Sequence, residues 1–545
     1  MNVLDGESNE CVWGSLPERL SWVINTGNRT VDALIGGVLL TREPLNVTEV
    51  TYSFEQSPLL VDVNGYSTLG EAAINRHLEV FDHVTALTGL AFVERDPNEE
   101  EVDLYFTNRE GTETAFVVEH LGGTLHVYNP ERATPVLGSY TDHLILHELG
   151  HALGLEHGHE PGGLPREFQG HSWSLMSYRT HPNTESLLFA DSHGPETYMA
   201  ADIAGLQFLY GANFDTEDGD TTYTVDFQTG EFFVDGEGMG RPNNNQTFRA
   251  IWDGGGNDTL DLSDAYAPLE IDLQPGGFTS FGYQYLSYLG SNRFNDDLFA
   301  EGNLANPYLY YGNTSSLLEN AIGGSSNDVI IGNQTSNRLD GGSGRDVLYG
   351  MTGDDELIGG AGNDRLIDGQ GNTEAYGDNG RDFILALSGN GNLHGGTGAD
   401  IIIGGIGDDT IEGGGGDDVL RGEAGSGFIF GGDTLIAGRG DDVVMGGRGA
   451  DQFVFAPGDD NNMIAVFRES DVRSGNIDDI TPTGADFESG VDKIVLSGFD
   501  DVDSATVLDH LTDTAAGAVF NAEGTEITFF ELSVEDLRTE DFVFT

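Results

Sequence analysis

Residues 341–349 read Gly-Gly-Ser-Gly-Arg-Asp-Val-Leu-Tyr, one copy of a nine-residue pattern, G-G-x-G-x-D-x-U-x, in which U is a large aliphatic residue. Starts fall every nine residues from Gly323 to Gly431, then lose register once and resume at Ala437 and Gly446. A repeat this short and regular predicts a solenoid of short strands and turns, because one copy cannot bury its own apolar side and must stack on neighbours. The first six residues of each copy form a turn whose carbonyls and Asp side chain offer hard oxygen ligands suited to Ca²⁺. The last three form a strand with U turned inward: Ile330, Leu339, Leu348, Leu357, Leu366, Ala375, Ile384, Leu393, Ile402, Ile411, Leu420 and Ile429. That position never turns polar, which separates the array from a Gly/Asp-rich disordered linker.

Outside the repeats, length and charge set the frame. At 545 residues the chain exceeds one compact core, so two or more domains are expected. There are 92 acidic residues against 23 basic ones, a formal charge of −69, and Lys493 is the only lysine. Nucleic acid and anionic membrane surfaces are excluded as partners, since like charges repel. Bare carboxylates at this density would push a compact state apart, so bound cations are expected. Acidic stretches outside the repeats, such as Glu99 to Glu101, and the scarcity of lysine also fit a saline habitat. The single cysteine, Cys11, excludes an intramolecular disulfide framework; it reads as an ordinary thiol in an N-terminal arm or as a thiolate plug on a metal. The start, MNVLDGESNECVWG, lacks a basic region and an apolar core, so no classical secretory signal is expected. The longest apolar run, Ala33 to Leu40, is far too short to span a membrane.

Residues 1 to about 215 read as an α/β domain. Strand-like runs cover Val47 to Phe54, Val102 to Thr107 and Thr124 to Tyr128. Helical spacing runs through Leu69, Ile74, Leu78, Phe81, Val84 and Leu87, and further helices are expected near 141–154 and 200–210. Residues 147–157 of the second read HELGHALGLEH. His147 and His151, four apart, project from one helix face as a pair of metal ligands with Glu148 beside them. Gly154 can leave the helix with a positive φ, letting the chain double back so that His157 supplies a third nitrogen. Three protein ligands leave one position open, the catalytic rather than the structural zinc pattern. In that reading the metal activates water, and Glu148 takes its proton and passes it to the leaving amine. His159 is the one rival to His157. His126, His143, His171, His181 and His193 read as surface or cleft residues.

Together with Ser174-Leu175-Met176-Ser177-Tyr178, the motif resembles the metzincin metalloproteases, and within them the serralysins. The resemblance implies that Met176 is the Met-turn methionine. It makes Tyr178 a further zinc ligand that can swing away to stabilise the oxyanion; without it a plain core tyrosine is the lesser alternative for Tyr178. Residues 196–214, ETYMAADIAGLQFLYGANF, resemble the helix that closes the serralysin catalytic domain. One departure is Gly158, where serralysins usually carry proline after the third histidine.

The repeats resemble the RTX β-roll, in which two nonapeptides make one coil and calcium lies between turns on the same edge. One edge then carries Asp328, Asp346, Asp364, Asp382, Asp400 and Asp418; the other carries Asn337, Asp355, Thr373, Gly391, Asp409 and Gly427. A row of about five ions is expected on the first edge and sparse binding on the second. Gly341, Gly359, Gly395 and Gly404 would offer turn carbonyls, and Asp442 and Asp451 continue the carboxylates. Upstream, residues 252–259 and 319–324 resemble the opening of the serralysin calcium domain, which implies Asp253, Gly255, Asp258 and Glu319 as calcium ligands. Residues 449–455 and 486–492 resemble its end. Asp541-Phe542-Val543-Phe544 resembles the uncleaved signal used by type I secretion machinery.

The expected architecture is an α/β metzincin catalytic domain (1–215), a connector with a β-sandwich-like entry (216–322), a parallel β-roll (323–455) and a β-rich secretion region (456–545). The expected function is a secreted, monomeric, extracellular endopeptidase acting on proteins or peptides, with one catalytic Zn²⁺ and several structural Ca²⁺. The rival is a catalytically silent RTX adhesin or calcium-dependent surface-binding protein, against which Glu148 and Tyr178 speak.

Overall fold

The computed structural model describes residues 47–54, 66–98, 102–109, 116–120, 123–128, 135–158, 164–184, 194–291, 296–423, 432–467 and 482–545. Cys11, Glu99 to Glu101, His159, His193, Gly427 and Ile429 lie outside them. Two compact units divide the described residues: one within 47–264 and 270–318, the other within 265–269 and 319–545.

In the first unit a mixed sheet runs in the order Ala91–Glu94, Glu49–Ser53, Leu104–Arg109, Gly123–Tyr128, Phe116–His120. Its pairings are parallel up to Gly123–Tyr128, and the last strand, Phe116–His120, is antiparallel to its neighbour. Between the strands Glu49–Ser53 and Ala91–Glu94 lies α1, Glu71–Thr88, which buries Val80, Phe81, Val84 and Leu87; of the positions the spacing predicts, Leu78 is exposed and Ile74 only partly buried. It stops at Gly89, whose φ of 72° only glycine adopts cheaply while its N–H reaches the Thr85 carbonyl. Helix α2, Tyr140–Ala152, starts at Ser139, whose side chain accepts from the Asp142 N–H. Helix α3, Ala200–Tyr210, is buried over most of its surface. The helices share one core, which includes Phe81, Phe106, Leu146, Leu149, Met176, Tyr198 and Leu206. No described helix is long and apolar enough to cross a membrane.

In the second unit the chain alternates between two parallel sheets, so that each strand pairs with the one two strands on. Leu339 lies beside Leu357, then Ala375, Leu393 and Ile411 in one sheet. Ile330 lies beside Leu348, Leu366, Ile384, Ile402 and Leu420 in the other. These side chains are buried throughout. The expected inward position is therefore the interior of the winding. The nine-residue phase ends sooner than expected: Ile411 is followed in its sheet by Leu435, and Leu420 by Val444, steps of 24 residues instead of 18. Six additional residues before Gly432 cause the shift, so Asp433 takes the edge position that the nine-residue count assigns to Gly427.

The parallel pairing also continues beyond residue 455. Phe453 pairs with Ile494 and Ile494 with Phe542 in one sheet, and Ile464 pairs with Phe529 in the other. The C-terminal segment is thus a strand, Phe542–Phe544. It is anchored by buried Asp541, which accepts from Ser489 Oγ (2.7 Å), Gly490 N (2.9 Å) and Arg538 N (2.8 Å).

Candidate metal centre

Helix geometry brings His147 and His151 to one face of α2, and Gly154, at φ 95°, turns the chain back so that Leu155 N reaches the Gly150 carbonyl (2.9 Å). His157 then faces both: its Nε2 lies 2.9 Å from His151 Nε2 and 3.2 Å from His147 Nε2. The other ring nitrogens are committed to backbone carbonyls, His147 Nδ1 to Leu175 (3.2 Å) and His151 Nδ1 to Leu155 (2.8 Å). A carbonyl only accepts, so both Nδ1 atoms carry the proton and both Nε2 atoms are lone pairs. Lone pairs converging on a third imidazole are satisfied together by a cation, so the three histidines could hold a metal ion. Burial and the neighbouring imidazoles push His147 down to about 3, which keeps the ring neutral and able to ligate.

Glu148, also buried, has its carboxyl pushed up to about 7 by desolvation. Tyr178 is 37% exposed and its ring lies 4.1 Å, centre to centre, from His157 and 5.5 Å from His147. Beneath α2, fully buried Met176 packs against Gly150: a Cβ there would come within 2.6 Å of its Sδ. The loop 174–178 hangs on Asp202 of α3, which accepts from Ser174 Oγ (2.6 Å), Leu175 N (2.8 Å) and Met199 N (3.0 Å). His171 Nε2 donates to the Ser177 carbonyl (3.2 Å).

Sequence reading passed over Asp202 and Gly150. It also placed His143 and His171 at the surface or in the cleft, whereas both are buried, their rings 4.9 Å apart. The signal for His143 was its i, i+4 spacing to His147; nothing local marks Asp202.

A second chemistry lines the edges of the winding. On the first edge the N–H groups of Asp328, Asp346, Asp364, Asp382 and Asp400 each donate to Oδ1 of the aspartate 18 residues on, at 2.7–2.8 Å. Asp418 donates likewise to Asp442, 24 residues on. The second oxygen, Oδ2, of Asp346, Asp364, Asp382, Asp400, Asp418 and Asp442 is buried without a donor. Burial pushes these carboxyls up, to about 7 at Asp346, 8 at Asp382 and 9 at Asp418. An ionised oxygen so placed needs a cation, and an all-oxygen set fits Ca²⁺. Asp328, at the start of the row, differs in that both oxygens accept N–H groups, from Leu269 and Gly324.

On the second edge Asn337 N donates to Asp355 (2.7 Å), Gly391 N to Asp409 (2.6 Å), Asp409 N to Asp433 (3.0 Å) and Asp433 N to Asp451 (3.0 Å). Oδ2 of Asp355 and of Asp409 is likewise buried without a donor. Asp433, in place of Gly427, thus returns a carboxylate to this edge. Gly341, Gly359 and Gly395 leave room for the carboxylates: a Cβ on each would lie 2.6–2.8 Å from its own repeat's Asp Oδ2. Gly404 stands in the same relation to Asp409.

In the first unit buried Asp253 and Asp258 lie together. Asp253 accepts from Tyr223 OH (2.6 Å) and Gly255 N (2.7 Å), Asp258 from Thr221 N (2.8 Å), and burial pushes Asp253 up to about 8. In the second unit the Glu319 carbonyl accepts from Asn337 Nδ2 (2.9 Å).

Two family models match. Residues 322–461 match the RTX calcium-binding nonapeptide repeat in four consecutive copies, and residues 212–284 match the Peptidase M10 serralysin C terminal. Over these residues the chain is similar to the serralysins. It is 34% identical to Metallopeptidase AprA of Pseudomonas marginalis over 39% of this chain and 42% of that one. It is 34% identical to Serralysin of Proteus mirabilis over 38% of each, and 36% identical to Serralysin G of Dickeya chrysanthemi over 38% of this chain and 39% of that one. The serralysin-like chain thus spans about two-fifths of the length of the curated relatives it matches.

Proposed function

We propose that the chain is a secreted zinc metalloendopeptidase that cleaves proteins or peptides and is stabilised by calcium along a parallel β-roll. The observation that carries the reading is the convergence of three imidazole Nε2 atoms, two of them lone pairs by their Nδ1 bonds, beside buried Glu148. The serralysin and AprA names of its relatives support it. His147, His151 and His157 would hold the zinc, with Tyr178 as a further ligand. A zinc ion bound there supplies a Lewis acid for the scissile carbonyl and lowers the pKa of an attacking water. The Glu148 carboxylate accepts that water's proton and returns it to the leaving amine. The Tyr178 hydroxyl, on a ring that lies over His157 and reaches solvent, donates to the carbonyl oxygen as it gains charge.

The first 215 residues act as the catalytic domain, residues 216–322 connect, and 323–455 form the roll. The roll's carboxylates, with Asp253, Gly255, Asp258 and Glu319 upstream, hold calcium. Residues 456–545 serve export through a type I secretion system, and the chain works outside the cell as a monomer.

Casein cleavage by the zinc-loaded chain tests the reading. E148A is expected to lose at least about a hundredfold in kcat/KM, and a zinc chelator to abolish cleavage. Undiminished cleavage by E148A would overturn the assignment, and inert wild type binding calcium would favour the silent adhesin.

A further inference from the structure

The repeat at 368–376 departs from the pattern at both of its ligand positions: it opens on Asp368 where glycine is the rule, and its sixth residue is Thr373 instead of aspartate. Asp368 is nonetheless only 1% exposed, and Asp355, its neighbour in the preceding coil, 2%. A carboxylate at a turn-glycine position is costly to desolvate, so its surroundings decide what it does there.

Gly369 N donates to Asp368 Oδ1 (2.7 Å), and Thr373 Oγ1 donates to Oδ2 (2.5 Å). With no carboxylate at 373, the Asp355 N–H turns to the Asn372 carbonyl (3.1 Å) instead of to a side chain. Asp355 Oδ1 accepts from Asn337 N, and its buried Oδ2 has no donor. A Cβ built on Gly350 would lie 2.6 Å from Asp355 Oδ2 and would also run into Asp368 Oδ1. Both oxygens therefore border the one spot that the absent side chain of Gly350 leaves open. Two buried carboxylates at such a spot share either a proton or a cation. All the donors are oxygens and two are carboxylates, which suits a hard divalent cation.

We propose that Asp368 is a replacement calcium ligand, which with Asp355 builds a cation site on the second edge at the repeat whose usual aspartate is missing. The proposal rests on the calcium reading of the array. The substitution of Gly by Asp and of Asp by Thr within one repeat is then a single exchange: the carboxylate moves five residues back along the chain and keeps its place on the edge.

Calcium titration of the full chain by equilibrium dialysis, with thermal melting alongside, tests it. D368G restores the usual glycine and is the more easily tolerated variant; D368N keeps the shape and removes the charge. Each is expected to bind one calcium fewer than wild type and to show a smaller calcium-induced rise in Tm. The double variant D355N/D368G is expected to lose no more ions than D355N. An unchanged ion count in D368G would overturn the site and assign the pair a shared proton. If D368N fails to fold by circular dichroism at saturating calcium, D368G decides alone. Wild type binding no calcium at all would overturn the array reading, and this site with it.

Discussion

Gly150 lies between His147 and His151 of α2, and the space a Cβ would need is held by Met176 Sδ at 2.6 Å and Cε at 3.2 Å. Alanine is the better helix former by about 1 kcal/mol, but overpacking a closed core costs about 1–3 kcal/mol. Met176 is fully buried, so its displacement must disturb the core and packing is expected to win. G150A is expected to melt lower and to bind zinc more weakly; a higher Tm with unchanged zinc affinity would show that Met176 gives way. Asp202 acts on the same loop by charge. Burial among neutral donors pushes its carboxyl from 3.8 up to about 6, so the folded state favours the protonated form. Its contribution to stability is fully present below about pH 4 and is lost as pH rises through 6, about 3 kcal/mol for a shift of about two units. D202N removes that dependence. The Tm of wild type is therefore expected to fall relative to D202N between pH 4 and pH 7, and parallel curves would refute the assignment. The convergence of side chains was legible in the sequence where they share one helix turn, as at His147 and His151. It was not legible at Asp202, whose partners at 174 and 175 lie 28 and 27 residues away and meet it only through folding.

At the scale of elements, the winding was readable because two codes ran in phase: glycine turns and an inward aliphatic residue. Beyond 455 the strands keep the second code, with Ile494, Phe542, Ile464 and Phe529 all buried in line, but the turns drop the first. A period of nine residues then vanishes although the pairing persists, since Gln452 and its partner Lys493 stand 41 residues apart. The six-residue insertion before Gly432 hid where the register shifts: glycines recur on both sides, and only the strand pairing reveals that Asp433 follows Asp409. The helices were easier: α1 buries one face that 3.6-residue spacing exposes to inspection, and α3 is an apolar segment buried over most of its surface. The interior column also sets what a deletion costs. Leu348 is fully buried between Ile330 and Leu366, and neighbouring coils cannot collapse into a gap without breaking the ladder on both sides. L348A is expected to cost about 2–5 kcal/mol, read from chemical unfolding at saturating calcium. A cost under about 1 kcal/mol would mean that the column is not the roll's core.

For the whole molecule the decisive quantity is charge. A formal −69 is carried by a chain with 23 basic residues, and among the described residues eight aspartates on the two edges bury an oxygen that no donor reaches. Stability of a domain is typically about 5–15 kcal/mol. Each ion held at a hundredfold above its Kd contributes about 2.7 kcal/mol, so three such ions contribute about 8 kcal/mol, as much as a domain has to lose. Removal of calcium is therefore expected to unfold residues 319–545 rather than loosen them, and the buried carboxylates make that unfolding steeper than loss of contacts alone. Hydrogen exchange on the full chain in calcium-free, zinc-supplemented buffer checks this. Protection of the parallel strands from Asn320–Ile322 to Phe542–Phe544 is expected to collapse and to return with calcium, while α1, α2 and α3 stay protected. Sodium at equal ionic strength is expected to restore little, because screening lowers repulsion without ligating a buried oxygen. Strands that stay protected without calcium would mean that the carboxylates are held by protons, and that the acidic load is a solubility feature rather than the folding switch proposed for the roll.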